Sequence, residues 1–253
     1  HKFNVSGSYK AYLSIWNKYG AAKTGNKTLQ ITKADSSGVV KIVPQNVNLI
    51  TESSNYRILN ILLDKADYGL SSYKVKMDLN NSARAHIRDW AVSPPWVDHF
   101  TYVVSPAFDS ITLSGYMNTG KLPAGSKNVP LGNISLIGIS AGEANLKLNS
   151  SSVAQYGSSF MTLTGVPADI HVYEVGPLPG YSKKPGDIWP LGVHDGLIDD
   201  FDGNGQVNTK DVDVFFNTWV SEGFAGMPVT PFDYNSNDRI DTDDIVKFFN
   251  LIW

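Results

Sequence analysis

Residues 200–211 read D-F-D-G-N-G-Q-V-N-T-K-D, and residues 233–244 read D-Y-N-S-N-D-R-I-D-T-D-D. The two stretches align without a gap, and oxygen-bearing side chains fall at positions 1, 3, 5, 9 and 12 of each. Calcium needs such spacing, because it takes roughly six to eight oxygen ligands, one of them the backbone carbonyl at position 7. The predicted ligands of two calcium ions are Asp200, Asp202, Asn204, Gln206 (carbonyl), Asn208 and Asp211, then Asp233, Asn235, Asn237, Arg239 (carbonyl), Asp241 and Asp244.

An apolar periodicity follows each loop. The spacing i, i+3, i+4, i+7 is that of a short amphipathic helix, so each half is predicted to be one loop followed by one helix. Pro190 and Pro231 argue against a regular helix before either loop. The apolar positions are Val212, Phe215, Phe216 and Trp219, and then Ile245, Phe248, Phe249 and Ile252.

This duplicated loop–helix, with Asp at position 12, resembles the dockerin family of calcium-binding adhesion modules. The N-G-Q-V-N-T-K-D-V and F-F-N strings are similar to dockerin-type repeats of archaeal, methanogen-like surface proteins. The resemblance covers residues 191–253 and implies that Thr209, Lys210, Thr242 and Asp243 contact the partner. Asp238 stands at position 6, where the family usually has Gly, so we expect a positive φ there and weaker metal binding by the second loop.

Composition narrows the function classes. The chain has 253 residues and no cysteine, so disulfides are absent. No apolar run approaches the roughly 18 residues of a membrane span, and no signal peptide is visible after His1. Asn-x-Ser/Thr sequons at Asn4, Asn26, Asn80, Asn133 and Asn149 suit an extracellular or cell-surface protein.

Charge is unevenly distributed along the chain. Residues 191–253 hold 12 acidic and 3 basic side chains, a net charge of −9, while the rest carries 12 acidic and 18 basic, a net charge of +6. Opposite charges favour contact between the two parts, within one molecule or between molecules. No basic run or nucleic-acid motif is present, so nucleic-acid binding is not expected.

Residues 1–37 are predicted to be an N-terminal strand extension. Tyr9, Ala11, Leu13 and Ile15 alternate with polar or aromatic neighbours, which predicts a strand, although a helix from Ser8 to Tyr19 is an alternative. The segment would form an extra hairpin on the following domain or pair with the sheet edge of a neighbouring molecule.

Residues 38–175 have an all-β pattern. Short alternating segments separated by Gly, Pro, Asn and Ser turns favour a sandwich of two sheets. The predicted strands are 39–43, 56–63, 72–79, 101–104, 110–117, 129–139, 143–148, 160–164 and 168–175.

Two segments here resemble the cohesin family, the usual receptor of dockerins. Y-G-L-S-S-Y-K-V-K-M-D-L, from Tyr68 to Leu79, is similar to its Gly-Leu-x-Gly-Tyr strand. V-P-L-G-N-I-S-L-I-G-I-S-A-G-E-A-N-L-K-L, from Val129 to Leu148, is similar to its penultimate strand pair. The resemblance implies a jelly-roll sandwich.

The Pro/Gly-rich stretch 176–190 is the predicted stiff linker to the C-terminal domain.

Enzyme motifs are weak. Gly138-Ile-Ser140-Ala-Gly142 matches G-x-S-x-G, but a strand pattern follows it where a serine hydrolase needs a helix, so we interpret it as a hairpin turn.

Trp90 and Trp96 flank a Pro-Pro turn; they seal one end of the sandwich or form an aromatic platform for a glycan or a protein.

Together these patterns predict a mainly β chain: a cohesin-like jelly-roll β-sandwich followed by a small α-helical two-calcium dockerin. The predicted function is non-catalytic adhesion or assembly at the cell surface. The calcium-ordered repeats would dock on a cohesin-type domain in the same molecule, in a partner, or in another copy of the chain. The alternative is a carbohydrate-binding sandwich stabilised by a calcium-binding C-terminal domain.

Overall fold

The computed structural model describes residues 7–16, 22–31, 37–51, 56–120, 122–156, 159–188 and 196–253. The chain divides into two compact units, His1–Ser37 and Gly38–Trp253. In the first unit, β1 (Gly7–Trp16) and β2 (Ala22–Ile31) form an antiparallel hairpin. The predicted strand is confirmed, and the alternative helix from Ser8 is wrong. Pairing of this segment with a neighbouring molecule stays a prediction.

The second unit is mainly β. All nine predicted strands are present, and three that the sequence did not predict join them, namely β4, β7 and β12. The strands are β3 (Ser37–Val43), β4 (Asn46–Ile50), β5 (Tyr56–Ala66), β6 (Ser72–Leu79), β7 (Ala85–Val92), β8 (His99–Val104), β9 (Ser110–Tyr116), β10 (Ser126–Gly138), β11 (Gly142–Leu148), β12 (Val153–Tyr156), β13 (Ser159–Gly165) and β14 (Ala168–Tyr173).

Strand β6 is the branch point of the sheet. One of its edges pairs with β9, which pairs in turn with β8. On the other edge, the end of β6 pairs with β11 and its start with β12. Beyond β11 lie β14 and β4, and beyond β12 lie β13, β3, β5, β10 and β7. Hydrogen bonds through β12 therefore join ten strands into one continuous path, and β9 and β8 branch from it at β6.

Alternation along the strands builds one core. Along β6, Tyr73, Val75, Met77 and Leu79 are buried while the residues between them face outward. These side chains pack with residues from the other strands, so that each strand contributes one apolar face to a shared interior. The Tyr73 hydroxyl donates to the Leu131 carbonyl inside this core.

The C-terminal repeats contain two helices, α1 (Thr209–Val220) and α2 (Thr242–Ile252). Each begins with a capping box, made by Asn208 with Asp211 and by Asp241 with Asp244. Before the second loop lies only a single 3-10 turn, Thr230–Phe232, which agrees with Pro231. No helix among the described residues is long and apolar enough to cross a membrane.

The apolar stripe of each helix is only partly buried. Phe215 and Phe248 are fully buried, as the spacing predicts. Phe216 and Phe249 are instead 47% and 42% exposed. Each lies about 100° around the helix from its buried neighbour, and the core is too small to cover both.

A second apolar core lies beneath the repeats. Phe201, Phe215, Phe232 and Phe248 are its fully buried aromatic residues, and Phe201 stacks on Phe215 with ring centroids 4.4 Å apart. Ile50 of strand β4 packs into the same cluster, together with Val175 and Leu178. We call strands β3 to β14 the sandwich. This cluster therefore contains side chains from the sandwich, from the segment after β14 and from the repeats.

We call residues 176–188 the strap, because backbone contacts hold this segment against the first loop. The Gly186 N–H donates to the Asp200 carbonyl, and the N–H groups of Asp199 and Asp200 both donate to the Gly186 carbonyl, each at 3.0 Å. A Cβ on Gly203 would lie 2.6 Å from the Lys184 carbonyl oxygen, so the backbones pass very close.

Candidate metal centre

The first loop gathers three carboxylates. Asp200, Asp202 and Asp211 each offer an oxygen, and these oxygens all lie within 4.8 Å of one another. All three residues are buried, with Asp211 fully enclosed. Three carboxylates so close together repel one another, which favours a bound cation between them.

Hydrogen bonds from backbone N–H groups hold these carboxylates in their orientation. Asn204 N–H and Gly205 N–H donate to the two Asp200 oxygens at 3.0 and 2.8 Å. Phe201 and Asn208 donate to the two Asp211 oxygens at 2.8 and 2.9 Å. Asp211 thus closes the loop and also caps α1, so the loop and the helix share one anchoring side chain.

The second loop repeats the same pattern. Asn237 N–H and Asp238 N–H donate to the two Asp233 oxygens at 3.1 and 2.8 Å. Asn235 and Asp241 donate to the two Asp244 oxygens at 3.0 and 2.9 Å. Asp202 N–H also donates to Asp211 at 3.3 Å, as the equivalent Asn235 does to Asp244, so four backbone hydrogen bonds recur at equivalent positions of the two loops.

Both loops also turn in the same way. Positions 4 and 6 have a positive φ in each: 67° at Gly203 and 86° at Gly205, and 59° at Ser236 and 63° at Asp238. The expectation of a positive φ at Asp238 is confirmed. An L-residue in this region is strained, although Asp tolerates it better than most.

Position 3 carries an unsatisfied oxygen in both loops. Asp202 Oδ2 and Asn235 Oδ1 are buried and have no hydrogen-bond partner among the described residues. Lys210 Nζ lies 2.8 Å from Asp202 Oδ2 without hydrogen-bond geometry, so that contact is an ion pair only. A buried oxygen that accepts no hydrogen bond is costly, and that cost falls in full on Asn235 Oδ1, while the Lys210 charge offsets it at Asp202 Oδ2. The equivalent positions of the two oxygens mark them as candidate ligands in both loops.

The side chains at positions 5 and 9 accept hydrogen bonds from backbone N–H groups. The Asn204 and Asn237 side chains accept from the N–H groups of Gln206 and Arg239, which places those residues directly after the turn. At position 9, Asn208 accepts from Lys210 N–H, and Asp241 accepts from Asp243 N–H. The predicted role of the Gln206 and Arg239 carbonyls as ligands stays a prediction.

The titration behaviour reflects this crowding. Burial raises the pKa of Asp200, Asp211 and Asp244 above the ordinary carboxyl value, against the effect of their backbone hydrogen bonds. For Asp202, burial also acts to raise the pKa, but the Lys210 charge and the hydrogen bond from Asn204 outweigh it and the pKa is lowered. The hydrogen bond from Asn237 lowers the pKa of Asp241.

The donor set fits a hard cation. Every candidate ligand is an oxygen, and neither loop contains a sulfur or an imidazole. Such a set suits Ca²⁺ or Mg²⁺ and not zinc or copper, and the flexible loop with many carboxylates suits Ca²⁺. Asp200, Asp202 and Asp211 would hold one ion, and Asp233, Asn235 and Asp244 the other.

The predicted partner-contacting residues lie at the start of each helix. Thr209 and Lys210 on α1, and Thr242 and Asp243 on α2, are all exposed. Sequence reasoning missed the exposed apolar residues further along the same helix faces, Phe216 and Val220 on α1, and Val246, Phe249 and Trp253 on and after α2. The 33-residue offset matches Phe216 with Phe249 and Val220 with Trp253, which was a detectable signal.

The G-x-S-x-G segment is a hairpin turn. Ser140 lies between β10 and β11, and its hydroxyl donates to the Ala83 carbonyl at 2.7 Å while it accepts from Arg84 Nη1 at 3.0 Å. A nucleophilic serine needs a general base at its hydroxyl, and these two contacts provide none.

The two tryptophans differ in their exposure. Trp96 packs partly against the sandwich core, its ring centroid 5.6 Å from that of Tyr73, and its indole N–H donates to the Pro130 carbonyl. Trp90 on strand β7 is 37% exposed. The structure therefore favours the packing role for Trp96.

Comparison with known proteins gave structural neighbours only. No protein-family model and no curated protein matches the chain. A cohesin module of a Clostridium perfringens family 33 glycoside hydrolase is similar at a TM-score of 0.43 and 13% identity, over 54% of this chain and 97% of that one. The sixth cohesin of Acetivibrio cellulolyticus scaffoldin B, solved with a dockerin, has a TM-score of 0.42 and 8% identity, over 54% and 99%.

An archaeal protein is also among the neighbours. The non-cellulosomal cohesin of Archaeoglobus fulgidus has a TM-score of 0.40 and 8% identity, over 54% of this chain and 91% of that one. The neighbours of this mainly β chain are thus cohesin modules, one of them from an archaeon.

Proposed function

We propose that this chain is a non-catalytic adhesion or assembly protein of the cell surface. In this proposal its C-terminal repeats bind two calcium ions as a dockerin does and dock on a cohesin-type domain of a partner or of another copy. The observation that carries the proposal is the pair of equivalent buried position-3 oxygens: among the described residues Asn235 Oδ1 accepts no hydrogen bond, and Asp202 Oδ2 contacts only the Lys210 ammonium.

The chain's own residues link metal binding to helix order. Calcium, when bound, supplies positive charge that offsets the repulsion among carboxylates. Asp211 and Asp244 each accept from the loop backbone and from the cap of the following helix. A loop that is ordered around its ion therefore fixes the first turn of its helix, where the predicted partner contacts lie.

The docking surface is a stripe along each helix. On α2 it contains Thr242, Val246, Phe249 and, just after the helix, Trp253, which is 82% exposed. Side chains at this spacing share one helix face. Exposed aromatic residues at a protein surface favour binding to a partner, because their burial releases a large apolar area.

Contacts between the sandwich and the repeats leave these stripes exposed. The sandwich reaches the repeats through strand β4, and the strap reaches them through the first loop. Neither contact covers Phe249 or Trp253. This arrangement supports docking between molecules rather than within one.

Two measurements on the full chain test the proposal. Isothermal titration with Ca²⁺ is expected to give two sites, and Asp202→Ala or Asn235→Ala should each weaken one site while far-UV circular dichroism confirms the fold. Absence of calcium binding by the wild-type chain contradicts the proposal.

Association is tested separately. Sedimentation velocity across a concentration series, in Ca²⁺ and then in EDTA, is expected to show assembly in Ca²⁺ only, and Phe249→Ala should reduce it. Assembly that is equal in EDTA contradicts the calcium dependence. A monomer at every concentration rules out another copy as the partner and leaves a separate cohesin-type protein.

A further inference from the structure

Lys210 places a positive charge on the first metal loop. Its ammonium lies 2.8 Å from Asp202 Oδ2, one of the two unsatisfied position-3 oxygens. The Lys210 side chain is 63% exposed, whereas that of Asp202 is 3% exposed. The lysine therefore reaches in from solvent toward a buried carboxylate and can leave without disturbing the core.

The second loop has no such lysine. Its residue equivalent to Lys210 is Asp243, and its position-3 residue is the uncharged Asn235. Lys247 is the nearest lysine in sequence, and its ammonium donates to the Tyr234 carbonyl at 3.3 Å. Among the described residues, a lysine ammonium therefore contacts the position-3 oxygen of the first loop but not that of the second loop.

Charge coupling supports the contact. Asp202 Oδ2 accepts no hydrogen bond from the described residues, and the Lys210 ammonium is the positive charge that lies against it. Lys210 pairs with one carboxylate, whereas Asp200, Asp202 and Asp211 together would hold a calcium ion. A calcium ion and the Lys210 ammonium cannot both occupy the space in front of Asp202 Oδ2, since like charges repel at short range.

We propose that Lys210 is an internal cation that pairs with Asp202 and is exchanged for the metal ion when the first loop binds calcium. This inference rests on the proposed function and adds its regulation. The exchange lowers calcium affinity at the first loop and frees the ammonium at the first turn of α1. Since Lys210 lies where partner contacts are expected, calcium would expose a positive charge on the docking surface of the first half only.

Calcium affinity gives the first test. In a chain whose second loop is disabled by Asp233→Ala, Lys210→Met is expected to tighten calcium binding by about three- to fivefold, in the range of a partly exposed ion pair. Lys210→Arg keeps the charge and should leave the affinity near that of the parent. Raising the salt concentration should shrink the difference, because screening weakens the ion pair.

A matched pair of variants places the same lysine–carboxylate pair in the second loop. In a chain whose first loop is disabled by Asp200→Ala, Asn235→Asp with Asp243→Lys should bind calcium about three- to fivefold more weakly than Asn235→Asp alone. An unchanged affinity in both halves overturns the proposal, as does weaker binding by Lys210→Met.

Lysine reactivity gives the second test, independent of affinity. Acetylation followed by mass spectrometry of the full chain should show Lys210 protected in EDTA and more reactive in Ca²⁺, with exposed Lys74 on the sandwich as the internal reference. Asp202→Asn should make Lys210 reactive in EDTA.

The outcomes separate the two proposals. If the chain binds no calcium but Asp202→Asn still exposes Lys210, the ion pair stands and the calcium function fails. If Lys210 is equally reactive in EDTA, in Ca²⁺ and in Asp202→Asn, the exchange fails, whatever the calcium affinity.

Discussion

The two halves of the repeat have the same hydrogen-bond pattern in different surroundings. In the first loop Asp200 and Asp202 are buried, and the strap lies against the backbone. In the second loop Asp233 and Asn235 are only half-buried, and positions 4 to 7 are exposed. The difference shows that a duplicated pattern reproduces local geometry but does not reproduce coupling to the rest of the molecule.

Position 4 illustrates the difference. Gly203 faces the strap so closely that no side chain fits, whereas Ser236 has the same positive φ but is exposed. The glycine is thus required by the neighbouring segment as well as by the turn. The strap contacts the first loop, whereas positions 4 to 7 of the second loop remain open to solvent.

Removal of a shared anchor should have the largest effect. Asp211→Ala removes an acceptor of three backbone N–H groups from a fully buried position and should lower the free energy of unfolding of the repeats by about 3 kcal/mol. Asp244→Ala, with two such donors, should cost about 2 kcal/mol. Chemical denaturation in EDTA, followed by far-UV circular dichroism, measures both. A larger loss for Asp244→Ala would reverse the comparison.

The strap contact comes next in size. Gly203→Ala should cost about 2 kcal/mol, because the new Cβ meets the Lys184 carbonyl and the residue has a positive φ. Ser236→Ala, its matched control, should change stability by less than about 0.5 kcal/mol. Thermal melts of both variants give the comparison, and equal losses would show that the strap does not constrain the first loop.

The contribution of three carboxylates to the pH dependence of stability should reverse with calcium. In EDTA, the raised pKa of Asp200, Asp211 and Asp244 makes the folded state bind protons more tightly than the unfolded chain. The stabilising contribution is therefore full below the ordinary value of 3.8 and is lost as the pH rises through the folded pKa.

With saturating calcium the sign should change, because the metal binds the ionised carboxylates and competes with protons. Stability should then increase with pH over the same range. Urea denaturation between about pH 4 and 7, in EDTA and in Ca²⁺, measures both slopes. Parallel slopes in the two buffers would argue against metal binding by these carboxylates.

The smallest expected effect concerns position 6. Asp238→Gly removes the backbone strain of a non-glycine residue with a φ of 63° and should stabilise the second loop by about 0.5–1 kcal/mol. Calcium affinity of that loop, measured with the first disabled by Asp200→Ala, should rise by a factor of about two to five. A weaker second site after the change would mean that the Asp238 carboxylate itself attracts the ion.

Short-range pattern predicted much of this structure. The loop spacing, the helix positions and nine strands depend on local periodicity, which the sequence displays directly. Strands β4, β7 and β12 were missed because β4 and β12 are short, and β7 carries Arg88 and Asp89 among its outward residues.

Tertiary contacts account for the rest. The exposure of Phe216 and Phe249 depends on how much core the neighbouring segments supply, which periodicity does not report. The ion pair of Lys210 with Asp202 depends on loop closure, and the approach of Gly196 to strand β4 depends on packing between distant segments. A positive φ at Gly196 was not visible in the sequence either.

The apolar junction between the sandwich and the repeats has a geometric consequence. Ile50 packs into the core of the repeats, and a Cβ on Gly196 would lie 2.7 Å from the Asn48 carbonyl oxygen, so packing fixes the angle between these parts. If copies join end to end, every copy adds the same rotation and translation, and such repetition generates a helical filament. The pitch and handedness of that filament would then depend on the packing at Ile50 and Gly196 inside each subunit as well as on the docking interface between subunits.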